Sequence, residues 1–199
     1  YERPSFAADP DSSVQGTPRH VALSPDERIA AVLLDRETGR EAALWDLSKR
    51  QVVSSWASDA FTLLLDSRGE TNVLYEVGRT FVSSKWALRG RGWEPTGTVL
   101  FADQSFRPAA AAASGPWVAV AGEDGFVAIA EPTLGCFVGG FRSKLTGIKV
   151  VALPSISEIA LVDEAGKVEV LTLKRAAGKG AVQPACSGTI VATPKASFK

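Results

Sequence analysis

Apolar stretches of five to nine residues alternate with clusters of Ser, Pro, Asp and Gly along most of the chain, and none keeps a helical period for long. The clearest set is His20-Val-Ala-Leu-Ser-Pro-Asp-Glu27, Arg28-Ile-Ala-Ala-Val-Leu-Leu-Asp35, Glu41-Ala-Ala-Leu-Trp-Asp-Leu-Ser48 and Gln51-Val-Val-Ser-Ser-Trp56. Segments of this length, rich in Val, Ile, Leu and aromatic residues and bounded by turn formers, predict β-strands. Isolated helices this short are marginal, because the costly first turn is repaid by too few hydrogen bonds. The alanine run is held to the same length by Pro108 on one side and Gly115-Pro116 on the other.

The same order of strand, turn and strand occurs four times. The second unit reads Phe61-Thr-Leu-Leu-Leu-Asp-Ser67, Asn72-Val-Leu-Tyr-Glu-Val77, Thr80-Phe-Val-Ser-Ser-Lys-Trp-Ala-Leu88 and Thr98-Val-Leu-Phe101. The third reads Arg107-Pro-Ala-Ala-Ala-Ala-Ala-Ser114, Trp117-Val-Ala-Val-Ala121, Phe126-Val-Ala-Ile-Ala130 and Cys136-Phe-Val138. The fourth reads Ile148-Lys-Val-Val-Ala-Leu153, Glu158-Ile-Ala-Leu-Val162 and Lys167-Val-Glu-Val-Leu-Thr-Leu173, with its last strand unassigned. From Ser24 to Ser67, Ser114 and Ser155 the steps are 43, 47 and 41 residues, close to the roughly 40 to 45 residues of one propeller blade. The turns at Glu123-Asp124-Gly125 and Asp163-Glu-Ala-Gly166 place Gly where a tight hairpin requires positive φ. Small Ala side chains in the third unit suit an innermost strand, where sheets converge on a narrow axis.

Within these units Val21-Ala-Leu-Ser-Pro-Asp26, Ile29-Ala-Ala-Val-Leu-Leu-Asp35, Leu44-Trp-Asp-Leu-Ser48 and Val118-Ala-Val-Ala-Gly-Glu-Asp-Gly-Phe-Val127 resemble WD-repeat blades. Only the first unit ends its third strand in Trp45-Asp46, and no Gly-His pair precedes an inner strand. The resemblance implies an all-β, propeller-like fold of about four four-stranded blades, over approximately 20–58, 59–103, 104–144 and 145–180. Four is the lower limit for a closed propeller, so an incomplete or partner-completed ring is expected. Residues 1–19 read as an extension or an outer strand of a neighbouring blade, and 181–199 as a C-terminal strand and basic tail. The resemblance further implies a scaffold that binds other protein subunits within a complex.

The chain has 199 residues, 45% apolar and 22% charged, which fits a globular domain rather than a disordered segment. No apolar run approaches the ~20 residues of a spanning helix, so a soluble chain is expected. Equal numbers of basic and acidic groups, 22 of each, argue against a general nucleic-acid binder. Charge is nevertheless uneven: residues 1–78 hold 8 basic and 13 acidic groups, and residues 79–199 hold 14 and 9. Lys174, Arg175, Lys179, Lys195 and Lys199 close the chain with no acid among them, giving either a solvated terminus or a patch for an acidic partner or an anionic membrane surface. Methionine is absent, which reads as a processed chain or a piece of a longer one.

Candidate chemistry is sparse. His20 is the single histidine, so neither a histidine-rich metal centre nor a set of His-based triads fits, and Ser24 and Asp26 beside it read as hairpin chemistry. Asp35, Asp66, Asp124 and Asp163 recur near turns, where they either cap the turn or line a channel as cation ligands. No cofactor is expected. Cys136 and Cys186 are too few for a zinc site; they read first as two buried thiols in a cytoplasmic protein, with one disulfide in an extracytoplasmic or periplasmic protein as the alternative. Trp45 and Trp86, at matching third-strand positions, read as packing residues between blades. The loop Arg89-Gly-Arg91-Gly-Trp93 joins two cations to an aromatic anchor and is the candidate interaction site.

Overall fold

The computed structural model describes residues 16–68, 71–88, 92–101, 105–177 and 188–198. Sixteen strands follow one another, interrupted by one 3-10 turn at Pro132–Leu134. The first blade comprises β1 (Thr17–Leu23), β2 (Ile29–Arg36), β3 (Gly39–Asp46) and β4 (Gln51–Ala57). The second comprises β5 (Ala60–Arg68), β6 (Thr71–Gly78), β7 (Phe81–Leu88) and β8 (Gly92–Leu100). The third comprises β9 (Pro108–Ser114), β10 (Trp117–Gly122), β11 (Phe126–Glu131) and β12 (Cys136–Arg142), and the fourth β13 (Ile148–Ser155), β14 (Glu158–Asp163), β15 (Val168–Ala177) and β16 (Gly188–Phe198). Each blade is an antiparallel meander in which strands pair only with their sequence neighbours.

The turn residues explain the short returns. Gly125 has φ +83° and its N–H donates to Gly122 O, while the Asp124 carboxylate accepts the N–H of Phe126. Gly166, at φ +77°, repeats the arrangement, with Asp163 accepting from Ala165 and Lys167 at 2.9 Å each. An L-side chain at either glycine would be forced into a left-handed backbone that it adopts at a cost. The strand left unassigned in the fourth unit is β16, which pairs with β15 from Val168↔Phe198 to Ala177↔Gly188. Residues 188–198 are therefore an integral edge strand, and Pro194 is tolerated there because an edge strand has one side free of ladder bonds.

Alternation of side chains gives each blade two faces. Leu33 and Leu44 of the first blade meet Leu63 and Leu74 of the second. Val73, Tyr75 and Val82, on the opposite face of the second blade, meet Val118, Val120 and Ala128 of the third. Ala119, Val127 and Ile129 then meet Ile159, Leu161 and Leu171 of the fourth. The inner strands follow the same order, β1 against β5, β5 against β9 and β9 against β13. No comparable join returns from the fourth blade to the first among the described residues, so the blades form an open arc. Burial records this: β10 is buried along its whole length and β6 nearly so, whereas β14 alternates between buried and half-buried positions.

Candidate functional site

All four inner strands reach the axis. Around it lies a cavity of about 310 Å³ lined by His20, Phe61, Thr62, Ala109–Ala111 and Lys149–Val151. The alanines of β9 keep the wall thin where four strands converge. His20 Nε2 lies 2.8 Å from Leu63 O and 3.1 Å from Thr62 Oγ1. A carbonyl only accepts, so this contact fixes the tautomer with its proton on Nε2. The histidine thus ties the first blade to the second. Ser24 Oγ meanwhile donates to Asp26 at 2.6 Å and accepts from Ile29 N–H, which makes the Ser24–Asp26 pair a turn lock.

The recurrent aspartates have equally local duties. Asp35 binds Arg19 and Arg40, and Asp66 accepts from Ser67 N–H and, across the joint, from Gly115 N–H at 2.8 Å. Asp124 pairs with Arg142 at 2.9 Å. The described residues hold no cluster of three metal-ligating side chains, and the charged group lining the axial cavity is Lys149, which would repel a cation. The donor set does not fit a channel cation.

The most concentrated polar cluster is one that sequence reasoning missed. Glu76, almost fully buried on β6, faces the first blade beside Leu74. Its carboxylate accepts from Trp56 Nε1 at 2.8 Å and Ser58 Oγ at 2.7 Å, and it pairs with Lys85 Nζ at 3.0 Å. The same ammonium sits 3.4 Å from the centre of the Trp56 ring, a cation–π contact. Burial pushes the Lys85 pKa below the ordinary lysine range, and Glu76 pulls it partly back. The available signal was a lone acid in the apolar segment Asn72–Val77. Its partners are twenty residues before it and nine after it, so local pattern could not supply them.

A second cavity, about 490 Å³, opens between the second and third blades. Phe101, Phe106, Phe126 and Phe137 line it, with Leu100 and the Asp124–Arg142 pair at its edge. Phe106 meets Phe101 and Phe126 edge-on, with centroids 5.2 and 5.9 Å away. Leu100 and Phe137 remain 72% and 47% exposed, so the cleft presents apolar surface to solvent. Such an arrangement suits the binding of apolar groups, since it brings together no nucleophile and base.

Of the predicted loop site, Arg89 and Arg91 lie outside the described residues, while Trp93 is half-buried on β8 and packs against the core between the first two blades. Trp45 is half-buried on the outer face of the first blade, which no other blade covers, and the Trp86 side chain lies outside the described residues. Among the closing basic residues, Lys174 is exposed, Lys195 on β16 pairs with Glu158, and the Arg175 side chain, Lys179 and Lys199 lie outside the described residues. Cys136 is buried and disulfide-bonded, not a thiol as first read. The chain contains one other cysteine, Cys186, which lies outside the described residues.

Comparison with solved structures decides the architecture. The chain is similar to the β-propeller domain of Cps50 (Swd1) from Myceliophteria thermophila, with a TM-score of 0.61 and 14% identity over 92% of this chain and 58% of that one. The fold is a β-propeller. This propeller arc thus spans less than two thirds of that chain's length. It is also similar to the computationally designed Ika4 protein, with a TM-score of 0.57 and 15% identity over 80% of this chain and 93% of that one. No family model and no curated protein matches the chain. At these identities the likeness concerns the fold alone, and the propeller's function has to be argued from its surfaces.

Proposed function

We propose that this propeller arc is a non-catalytic scaffold that mediates protein–protein interactions within a multiprotein complex. The observation that carries the reading is a division of labour among the side chains. The described polar groups that could do chemistry are engaged in locking turns and joining blades, whereas apolar surface is left uncovered in the cleft at Leu100 and Phe137 and on the outer faces of the end blades. Uncovered apolar surface of this kind marks contact sites rather than reaction sites. The Arg89-Gly-Arg91-Gly-Trp93 loop remains the proposed polar part of such a contact.

Cross-linking of the protein in its native extract, followed by mass spectrometry, tests this. Links from Lys85, Lys144 or the 89–93 loop to other proteins, reduced when Phe137→Asp alters the cleft, are the expected result. A chain recovered alone under mild conditions, with no cross-linked partner, would overturn it.

The disulfide at Cys136 supports a second proposal, that the scaffold works in an oxidising, extracytoplasmic compartment. Peptide mapping of protein alkylated at harvest without reductant checks it, and a Cys136 recovered fully as the alkylated thiol would refute it.

A further inference from the structure

We propose that a second copy of this chain completes the ring, the fourth blade of each copy packing against the first blade of the other to give eight blades around one axis. This deepens the scaffold reading, on which it rests, by naming one partner.

Every blade has a leading face, turned to the blade before it, and a trailing face, turned to the blade after it. The three joints inside the chain each unite a trailing face with a leading face. Two faces are left over, and they are the two halves of the same kind of joint. On the leading face of the first blade, Val21 and Leu23 are each 55% exposed, and register places Val21 beside Val32, and Leu23 beside Ala30 and, one strand further, Trp45. On the trailing face of the fourth, Val150 is 52% exposed, register aligns it with Val162 and Val168, and Val191 of β16 extends the patch. Contiguous apolar surface of this sort is rarely left in water.

The occupant must present a leading face to one end and a trailing face to the other. A second copy does both at once, through two equivalent joints related by a twofold on the ring axis, and such a head-to-tail contact ends as soon as its rotation closes. Blade number agrees: propellers close with about four to eight blades, so two copies of four reach the upper limit and a third cannot be added. The likeness to Ika4, nearly all of whose chain is matched by this arc, shows a solved chain of about this extent.

The test uses the full chain, unreduced, with its mass read by light scattering. The expected value is twice 21.0 kDa. Leu23→Lys and Val150→Glu each alter a residue already more than half exposed, so the sheets should persist by circular dichroism while the mass falls to that of one chain. An equimolar mixture of the two variants should return to the doubled mass, since one of its joints is wild type and the other sets Lys against Glu. A wild-type chain that stays single at high micromolar concentration, a dimer indifferent to both substitutions, or a mixture that stays single would each overturn the proposal. A single chain that still cross-links to other proteins would sink the second copy and spare the scaffold reading; a dimer with no other partner would do the reverse.

Discussion

The joint between the first and second blades and the joint between the third and fourth are built on different physics. Seven buried apolar residues make up the core between the first and second blades, against fifteen in the cluster joining the third and fourth. What the smaller core lacks, directional contacts supply: the Glu76 cluster, His20 on Leu63 O, and Arg40 donating to Ala60 O at 2.8 Å. The larger joint is closed mainly by area, with Glu169 accepting from Ser143 and Lys144 at its edge. Apolar packing is spread over many residues and tolerates small losses, whereas a buried ion pair concentrates risk in two side chains. A single substitution should therefore be most damaging where the apolar core is smallest.

Glu76→Gln is the sharpest way to break this contrast. The amide can still accept from Trp56 and Ser58, but Lys85 is left charged and half-buried without its counter-ion. Removing one partner of a buried pair costs about 3 kcal/mol or more, and the loss should appear in urea denaturation, with amide exchange accelerated first in β1–β4. Replacing both partners, Glu76→Gln with Lys85→Met, should recover much of it, because the uncompensated charge is then gone. If the single and double variants are equally unstable, the joint is not held by its charges.

Gly139→Ala probes the apolar joint at its tightest point. A Cβ at Gly139 would lie 2.9 Å from the backbone nitrogen of Ile190, and β16 cannot yield without disturbing its ladder with β15. Overpacking of this kind costs about 1–3 kcal/mol, so a smaller loss than at Glu76 is expected, with exchange rising in β16 and not in the first blade. A loss centred on β1–β4 instead would show that the joints are not independent.

The same contrast explains what could be read from the chain. Strands and turns are local, and segments such as Trp117–Ala121 and Phe126–Ala130 announce both their period and the Gly125 turn between them. The roughly forty-residue step follows from the same signals. The partners of Glu76 are brought together by stacking one sheet on another, which leaves no mark at fixed spacing. β16 escaped for a related reason: residues 178–187 separate it from β15, and its pairing is visible only once the fourth sheet is assembled. Nothing in the spacing of two cysteines fixes their redox state, and the thiol reading of Cys136 failed there.

The smallest expected effect sharpens the comparison from the acid side. Asp46, in the turn from β3 to β4, accepts from Ser48 Oγ at 2.6 Å and from the N–H groups of Ser48 and Lys49. These bonds, that from Ser48 first, lower its pKa to about 2. A carboxylate depressed in the folded state favours the unfolded chain for proton uptake, so its contribution is complete above the ordinary aspartate value near 4 and is lost as pH falls through about 2. Asp46→Asn should therefore melt slightly below the wild type at neutral pH, and the gap should narrow between about pH 4 and pH 2 as the wild type loses its advantage. The group is solvent-facing, so added salt should shrink the part of the gap owed to Lys49 and leave the Ser48 part. A gap that stays constant down to pH 2 would mean that the first blade owes nothing to this turn's charge, and that its stability rests on the Glu76 joint alone.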